Sequence, residues 1–424
     1  MAQQTEVSGL HLGALHVSVE SAFCTPGTEY RCFPVTGTVD LALGQDEVDA
    51  TRLSTRPYDY KNPTRTYKTG TCKFEHFLQP CATVLTKAAT PDTDEDAPLR
   101  MLMRALFGGE HIAAGSEVAA GSHSTTGFSV DAGEGARFPA GKIIAVDGAG
   151  GGGGAENLQP CRVTSRATDA LTVWPALANA PVENARIINS ATWYPTPSNA
   201  TTLSIALAAA RGTGLQWRLL GATGGVTLSF ARGEMAKVAF DLVGADHTGP
   251  LDLGLSTSVV DDPMADPHTT RGAEMLLQPQ GTTTRVCFKV DTLTVTPQLG
   301  MAHLPTLTCG HEGMKGVQRT EGLLDAFATI ELVCDVDTDA DTSWWANRTE
   351  LSLLFWLPLD TSTSRRMIGF DAPRCVIVGK PVYSNGDHNI GKLTITLKTK
   401  LDDSTSGTLD VEALALAPLR VFTL

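Results

Sequence analysis

The chain has 424 residues, 42% of them hydrophobic and 19% charged, a composition that builds cores and excludes a disordered polymer. The formal net charge is −13, which argues against tight gripping of nucleic-acid phosphates, a task that takes a basic surface. No apolar run approaches the ~18–20 residues of a membrane span, and Met1 to Val7 lacks the apolar segment of an export signal.

The first long element is a strand–loop–strand from Thr38 to Cys81, with the loop centred on Thr51 to Gly70. A helix follows from Asp96 to Phe107. Asp96 is placed to cap it, and Pro98 sits in the first turn, where a missing N–H costs nothing. Leu99, Leu102, Met103, Leu106 and Phe107 fall on one stripe, with Arg100 and Arg104 opposite, and Gly108 ends the run. From about Gly115 to Ser190 come short strands at 127–130, 142–146, 162–165 and 170–174, broken by dense Gly, Pro and Asn. Gly148 to Gly154 reads as a loop tip. This texture suggests a small β module inserted into a larger fold.

Val226 to Phe230 and Lys237 to Val243 predict an antiparallel hairpin around Ala231-Arg232-Gly233-Glu234. Asp246 to Gln280 is rich in Asp, Pro, Thr and Gly and reads as a long irregular connection. Ala328 to Cys334 and Asn389 to Lys400 alternate apolar and polar residues, as half-buried strands do. Glu350 to Leu357 is almost continuously apolar, which predicts a strand buried on both faces. A short helix at Asp341 to Asn347 holds Trp344 and Trp345, expected as core anchors. The expected class is mainly β, with two tandem sandwich or barrel units of one helix each. The first unit covers 1–114 and 191–245, the inserted module 115–190, the connection 246–282, and the second unit 283–424.

Several of these segments together resemble the tail tube (major tail) proteins of long-tailed, siphovirus-type bacteriophages. They are Glu20 to Phe23 followed by Thr28 to Pro34, the long loop running from Thr51 to Tyr60, and the helix from Ala97 to Gly108. Gly214 to Phe240, the helix Trp344 to Thr349 with its following apolar strand, and Ala372 to Thr399 with the turn Asn385-Gly386-Asp387 complete the match. The resemblance spans most of the chain outside 115–190 and 246–280. It implies a structural virion protein, not an enzyme, without cofactor, whose rings stack into the tail tube that carries DNA at ejection. Such rings share a closed β-barrel between subunits, with tape-measure protein and double-stranded DNA in the channel. They meet tail terminator and tail-tip proteins, without any membrane. Two fused tube units imply a trimer with pseudo-sixfold symmetry, assembled in the host bacterial cytoplasm and housed in the virion tail, with the module on the tube exterior.

The nine cysteines include no CxxC pair and are expected as reduced, mostly buried thiols. The loop with Arg52, Arg56, Tyr58, Tyr60, Lys61, Arg65 and Lys68 is basic in an acidic chain, opposed only by Asp59. It is a candidate contact to the next ring, meeting acidic segments such as Asp92, Asp94 and Glu95 or Asp335 and Asp337. A solvated surface loop is the plain alternative. The spacing Asp335-x-Asp337-x-Asp339-x-Asp341 imitates a calcium loop. It has Ala340 and Ala346 where the glycine and bidentate glutamate belong, so no metal is expected. Cys309, His311 and Glu312 lack a second cluster for zinc, and no GxSxG elbow is present. Two other expectations remain open. One is a terminator or head–tail joining protein that forms a single ring. The other is a carbohydrate-binding β protein, which would need clustered exposed aromatics and paired carboxylates.

Overall fold

The computed structural model describes residues 15–28, 30–33, 35, 38–48, 64–78, 85–89, 98–147, 159–196, 201–208, 216–251, 270, 272–282, 288–305, 314–319, 328–335, 340–358, 366–385, 391–402 and 412–424. The fold is mainly β, built from large antiparallel sheets with three short α-helices among the described residues. It opens with β1 (Leu15–Val19), β2 (Arg31–Phe33), β3 (Asp40–Val48) and β4 (Thr64–Phe77). Helix α1 (Pro98–Phe107) buries the predicted stripe and leaves Arg104 exposed. Gly108 ends it with φ 82°, a left-handed conformation that glycine adopts without strain. The expected cap, Asp96, lies outside the described residues.

After β5 (Gly108–His111) come β6 (Ser116–Glu117), β7 (Gly127–Ser129), β8 (Ile143–Asp147), β9 (Pro160–Ala167), β10 (Ala170–Trp174) and β11 (Arg186–Asn189). The last six form a separate sheet in the order β6-β11-β8-β9-β10-β7, and a bridge from Val118 to Val130 joins its two ends. It is therefore a small closed barrel, filled by Phe128, Phe138, Val146, Val163, Leu171 and Ile187 among others. Closure removes the unpaired edges that a six-stranded sheet would otherwise expose.

The chain returns through β12 (Ala191–Pro195), β13 (Leu203–Ala208), the sixteen-residue β14 (Gln216–Ala231), β15 (Lys237–Gly244) and β16 (Asp246–Leu251). Then follow β17 (Glu274–Pro279), β18 (Val290–Pro297), β19 (Met301–Pro305), β20 (Met314–Arg319), β21 (Ala328–Asp335) and α2 (Ala340–Ala346). The remainder is β22 (Leu351–Pro358), β23 (Met367–Ile377), β24 (Val382–Asn385), β25 (Gly391–Thr399), α3 (Glu412–Ala415) and β26 (Arg420–Thr423). The hairpin predicted around Arg232 is β14–β15, and the run predicted as doubly buried is β22, buried from Leu351 to Leu357. Trp344 and Trp345 are partly buried against the main core.

The pairings repeat. In the first strand set, β1 pairs with β13, β13 with β14, and β14 with β16, forming a backing layer. In the second set, β17, β22, β23 and β26 pair in that same order. Both sets carry a register shift at the matching place, Leu203/Ile205 and Leu351/Leu353. Strands β14 and β23 then continue into a second layer. There the order is β3-β4-β15-β14 in the first set and β18-β21-β25-β23/β24 in the second. One apolar core lies between the layers and runs through both sets.

Two expectations need correction. Asp246–Leu251 and Glu274–Pro279, placed by sequence in an irregular connection, are strands, because β16 and β17 are paired members of the two backing layers. Their Pro and Gly residues masked strands that are defined by partners distant in sequence. Strands β5 and β12, placed by sequence in the first unit, extend the second set's backing layer through β26. The barrel likewise packs on the second set, with Ile143, Ala145, Trp174 and Ile188 against Leu276, Leu354, Trp356, Met367, Phe422 and Leu424.

A buried ion cluster reinforces that contact. Asp371 accepts from Arg162 of the barrel and from Arg420, each at 2.7 Å, and Arg420 also reaches Asp402 at 3.4 Å. Arg162 lies over the Trp174 ring at 4.7 Å. At the neck, the fully buried Lys142 donates to the carbonyls of His111 and Ser190 at 2.7 and 2.6 Å. Its burial depresses the ammonium pKa well below the usual range.

Candidate assembly interface

The second layer of the two sets is continuous, because β14 pairs with β18. Nine strands, with β23 and β24 sharing the last place, thus form one antiparallel front sheet with alternating burial. Val238, Phe240 and Leu242 face the core while Lys237, Ala239, Asp241 and Val243 face outward. Rows of side chains cross the joint in register. Lys237 is opposite Ser229, Ser229 opposite Thr294, Thr294 opposite Glu331, and Glu331 opposite Thr396. Threonine suits this place, since β-branching favours the pleated backbone and the hydroxyl tolerates water.

The outward face is balanced in charge although the chain is acidic. Lys73, Lys237, Lys392 and Lys398 stand among Asp40, Glu75, Asp241, Glu331 and Asp335. Lys73 bonds Asp241 across the strands at 2.7 Å, and that bond raises the lysine pKa. Lys392 pairs with both Asp291 and Asp335. Hydrogen bonding to Lys392 holds the Asp335 carboxyl below its ordinary range. Neighbouring opposite charges on adjacent strands lower the cost of a sheet face that carries so many ionised groups.

The joint itself is apolar inside. Leu228 of β14 is opposite Val295 of β18, and both are fully buried. The matching registers of the two sets identify their counterparts. Ala239 is opposite both Glu75 and Thr227, as Thr394 is opposite both Val333 and Val382, once the ladders are aligned at Gly244 and Thr399. On that alignment Leu228 corresponds to Tyr383, and Val295 corresponds to Leu41.

Those counterparts lie on the two outer edges of the front sheet. No described strand pairs with the outer side of β3 or of β24. Tyr383 is 53% exposed and Val382 61%, whereas Leu228 is 0% exposed. Exposed edges with apolar residues are templates for adding a strand.

The sequence-nominated contact residues are mostly beyond description. Arg52, Arg56, Tyr58, Tyr60, Asp92, Asp94, Glu95 and Asp337 lie outside the described residues. Arg65 is on β4, and only its backbone is described. Asp335 ends β21 at the end of the front sheet that holds the β14–β15 turn. The β3–β4 connection leaves from the opposite end. The edge residues Tyr383 and Leu41 escaped sequence reasoning, since an edge is defined only once the ladder is known. Among the described residues no group of His, Cys, Asp or Glu is arranged to hold a metal ion. Six described cysteines are free and buried, and burial pushes the Cys24 and Cys72 thiols up to about 12. No protein-family model matches the chain, and no curated protein matches it.

Proposed function

We propose that this chain is a tail tube protein with two tandem tube units, and that three copies close into a ring. The observation that carries the reading is the joint inside one chain. The β14–β18 ladder links the two sets, and the counterparts of its two strands are the free edges β24 and β3. A second copy can repeat the joint with β24 of one chain against β3 of the next. Such a head-to-tail contact is heterologous and closes when the rotation per unit divides the circle. The resemblance to tail tube proteins supplies six units per ring, hence three chains. The front sheets would then form a continuous wall with the threonine-rich, charge-balanced face toward the channel. A face without a dominant sign neither grips nor strongly repels a passing phosphate backbone.

The joint also supplies the register. Transferred to the edges, Leu228 opposite Val295 becomes Tyr383 opposite Leu41, and Ser229 opposite Thr294 becomes Ser384 opposite Asp40. The combined Asp40→Cys and Ser384→Cys variant, treated with a mild copper–phenanthroline oxidant, should give disulfide-linked trimers on a denaturing non-reducing gel. Cross-linking absent from that pair but present in one shifted by two residues would refute the register. Electron microscopy of the wild-type chain tests the wider reading. Stacked rings or hollow filaments support it. Single rings that never stack favour a terminator or joining protein, and monomers at every concentration refute both.

A further inference from the structure

We propose that α2, through Trp344 and Trp345, closes an open end of the first set's core in the next copy of the ring. This rests on the ring reading above and adds a contact behind the edge ladder. The two sets differ at one end of the space between their layers. In the first set, Val39, Leu41 and Leu43 are the core-facing row of the edge strand β3, and all three are partly exposed. On the backing layer, Trp217 of β14 and His247 of β16 stand in the core-facing row, opposite Leu207 and Leu219. Both are partly exposed as well. His247 Nε2 donates to the Gly44 carbonyl at 2.9 Å and so spans the two layers.

The same end of the second set is sealed. The matching residues are Leu293, Val295 and Pro297 of β18, Phe370 of β23 and Leu419 just before β26. All five are buried, Phe370 and Leu419 completely. The first set builds the seal. The Phe230 ring of β14 lies 4.5 Å from that of Phe355 and 6.3 Å from that of Phe370. Helix α1 stands at this joint too, against β1, β2 and β14 of its own set. Its Arg100 donates to Glu110 at 2.8 Å. Glu110 also accepts from Trp193 of β12, the strand that extends the second set's backing layer.

The repeat names the occupant of the open end. Helix α2 comes between β21 and β22 as α1 comes between β4 and β13, and it packs on β23 as α1 packs on β14. Yet α1 buries Leu102, Met103, Leu106 and Phe107, whereas Trp344 and Trp345 of α2 stay partly exposed. One chain thus has an open core at one end and a half-covered aromatic pair on the set at its other end. A head-to-tail contact uses two different surfaces, one from each copy, and this pair supplies them. With β24 beside β3 of the next copy, α2 meets the row of Val39, Leu41, Leu43, Trp217 and His247. The contact takes apolar surface of both copies out of water, with tryptophan rings at its centre.

Hydroxyl-radical footprinting with mass spectrometry tests this on the full-length chain as monomer, isolated rings and stacked tubes. In the monomer Trp217, Trp344 and Trp345 should be oxidised while the buried Trp193 and Trp356 are spared. In isolated rings the three should fall together to the level of the buried pair. Trp344 and Trp345 that react in rings as they do in the monomer would overturn the proposal and leave the ring reading standing. Protection that arises only in stacked tubes would overturn it too, since the contact would then lie between rings. Trp217→Glu should raise the concentration at which half the chains form rings about tenfold or more. Trp217→Phe, which writes the second set's residue into the first, should assemble like the wild type. Unchanged assembly of the glutamate variant would remove Trp217 from the contact and refute the seat. The wild-type footprint decides the matter if that variant does not fold. A wild-type chain that never forms rings refutes the ring reading first, and the seat with it.

Discussion

The two strand sets share connectivity, layer order and even a register shift, yet their outward faces differ. Leu276 and Leu354 of the second backing layer correspond to His16 and Ala206 of the first. The second face is apolar and carries the barrel. Its counterpart in the first set is lined by His16, Ser18 and Ser204. The Glu20 carboxylate accepts there from Thr202, Ser204 and the Gly221 and Cys24 N–H groups at 2.6–2.9 Å. Conserved pairing thus carries two surfaces of opposite character, because alternation lets the core-facing side chains stay apolar while the others change freely. The barrel interrupts the first set's stretch of chain, between α1 and β13, and stands on the second set. The insertion therefore stitches the two sets together.

The largest test of this contrast is the ion cluster. Asp371→Ala leaves Arg162 and Arg420 buried without their shared carboxylate, and should cost about 3–5 kcal/mol in urea unfolding. The corresponding position in the first set is Arg218, which is partly exposed. Its replacement by alanine should cost no more than about 1 kcal/mol. Equal losses would mean that the barrel is not anchored where the second set differs.

Next come the docking faces. Leu354→Ala should cost about 2–5 kcal/mol, and speed exchange at Ile143–Asp147 while Leu171 and Val173 inside the barrel stay protected. Ala206→Leu, which writes the second set's residue into the first, should cost about 1–3 kcal/mol by overpacking. A stabilised Ala206→Leu protein would show that the two faces are interchangeable after all.

Edge substitutions should act on assembly more than on the fold. Tyr383→Asp should move monomer stability by about 0.5 kcal/mol or less, since its side chain is over half exposed. It should nevertheless abolish rings in mass photometry. Unimpaired rings would remove β24 from the interface. The smallest expected effect on stability is that of the combined Arg52→Glu and Arg56→Glu change. It should leave the unfolding midpoint and the rings intact but block filaments if that loop meets the acidic end of the next ring. Normal filaments would reduce the loop to a solvated one.

Much of the architecture was legible in the chain. Period-two alternation marked β15, β21 and β25, the apolar run marked β22, and stripe plus glycine marked α1, because these signals are local and their physics is steric. Composition likewise marked 115–190 as different in texture. Strands β16 and β17 were not legible, since short segments with Pro, Gly and Asp become strands only through partners far away. The nominated basic loop was chosen by its length and charge, and neither says where a loop is held. What the sequence by itself determined is the side chain's preference: which residues seek the core and which tolerate water. Only the tertiary structure decided which ladders are complete and which end in an open edge, because an edge is a missing hydrogen-bond partner. A missing partner is a property of the assembled sheet, not of any residue in it.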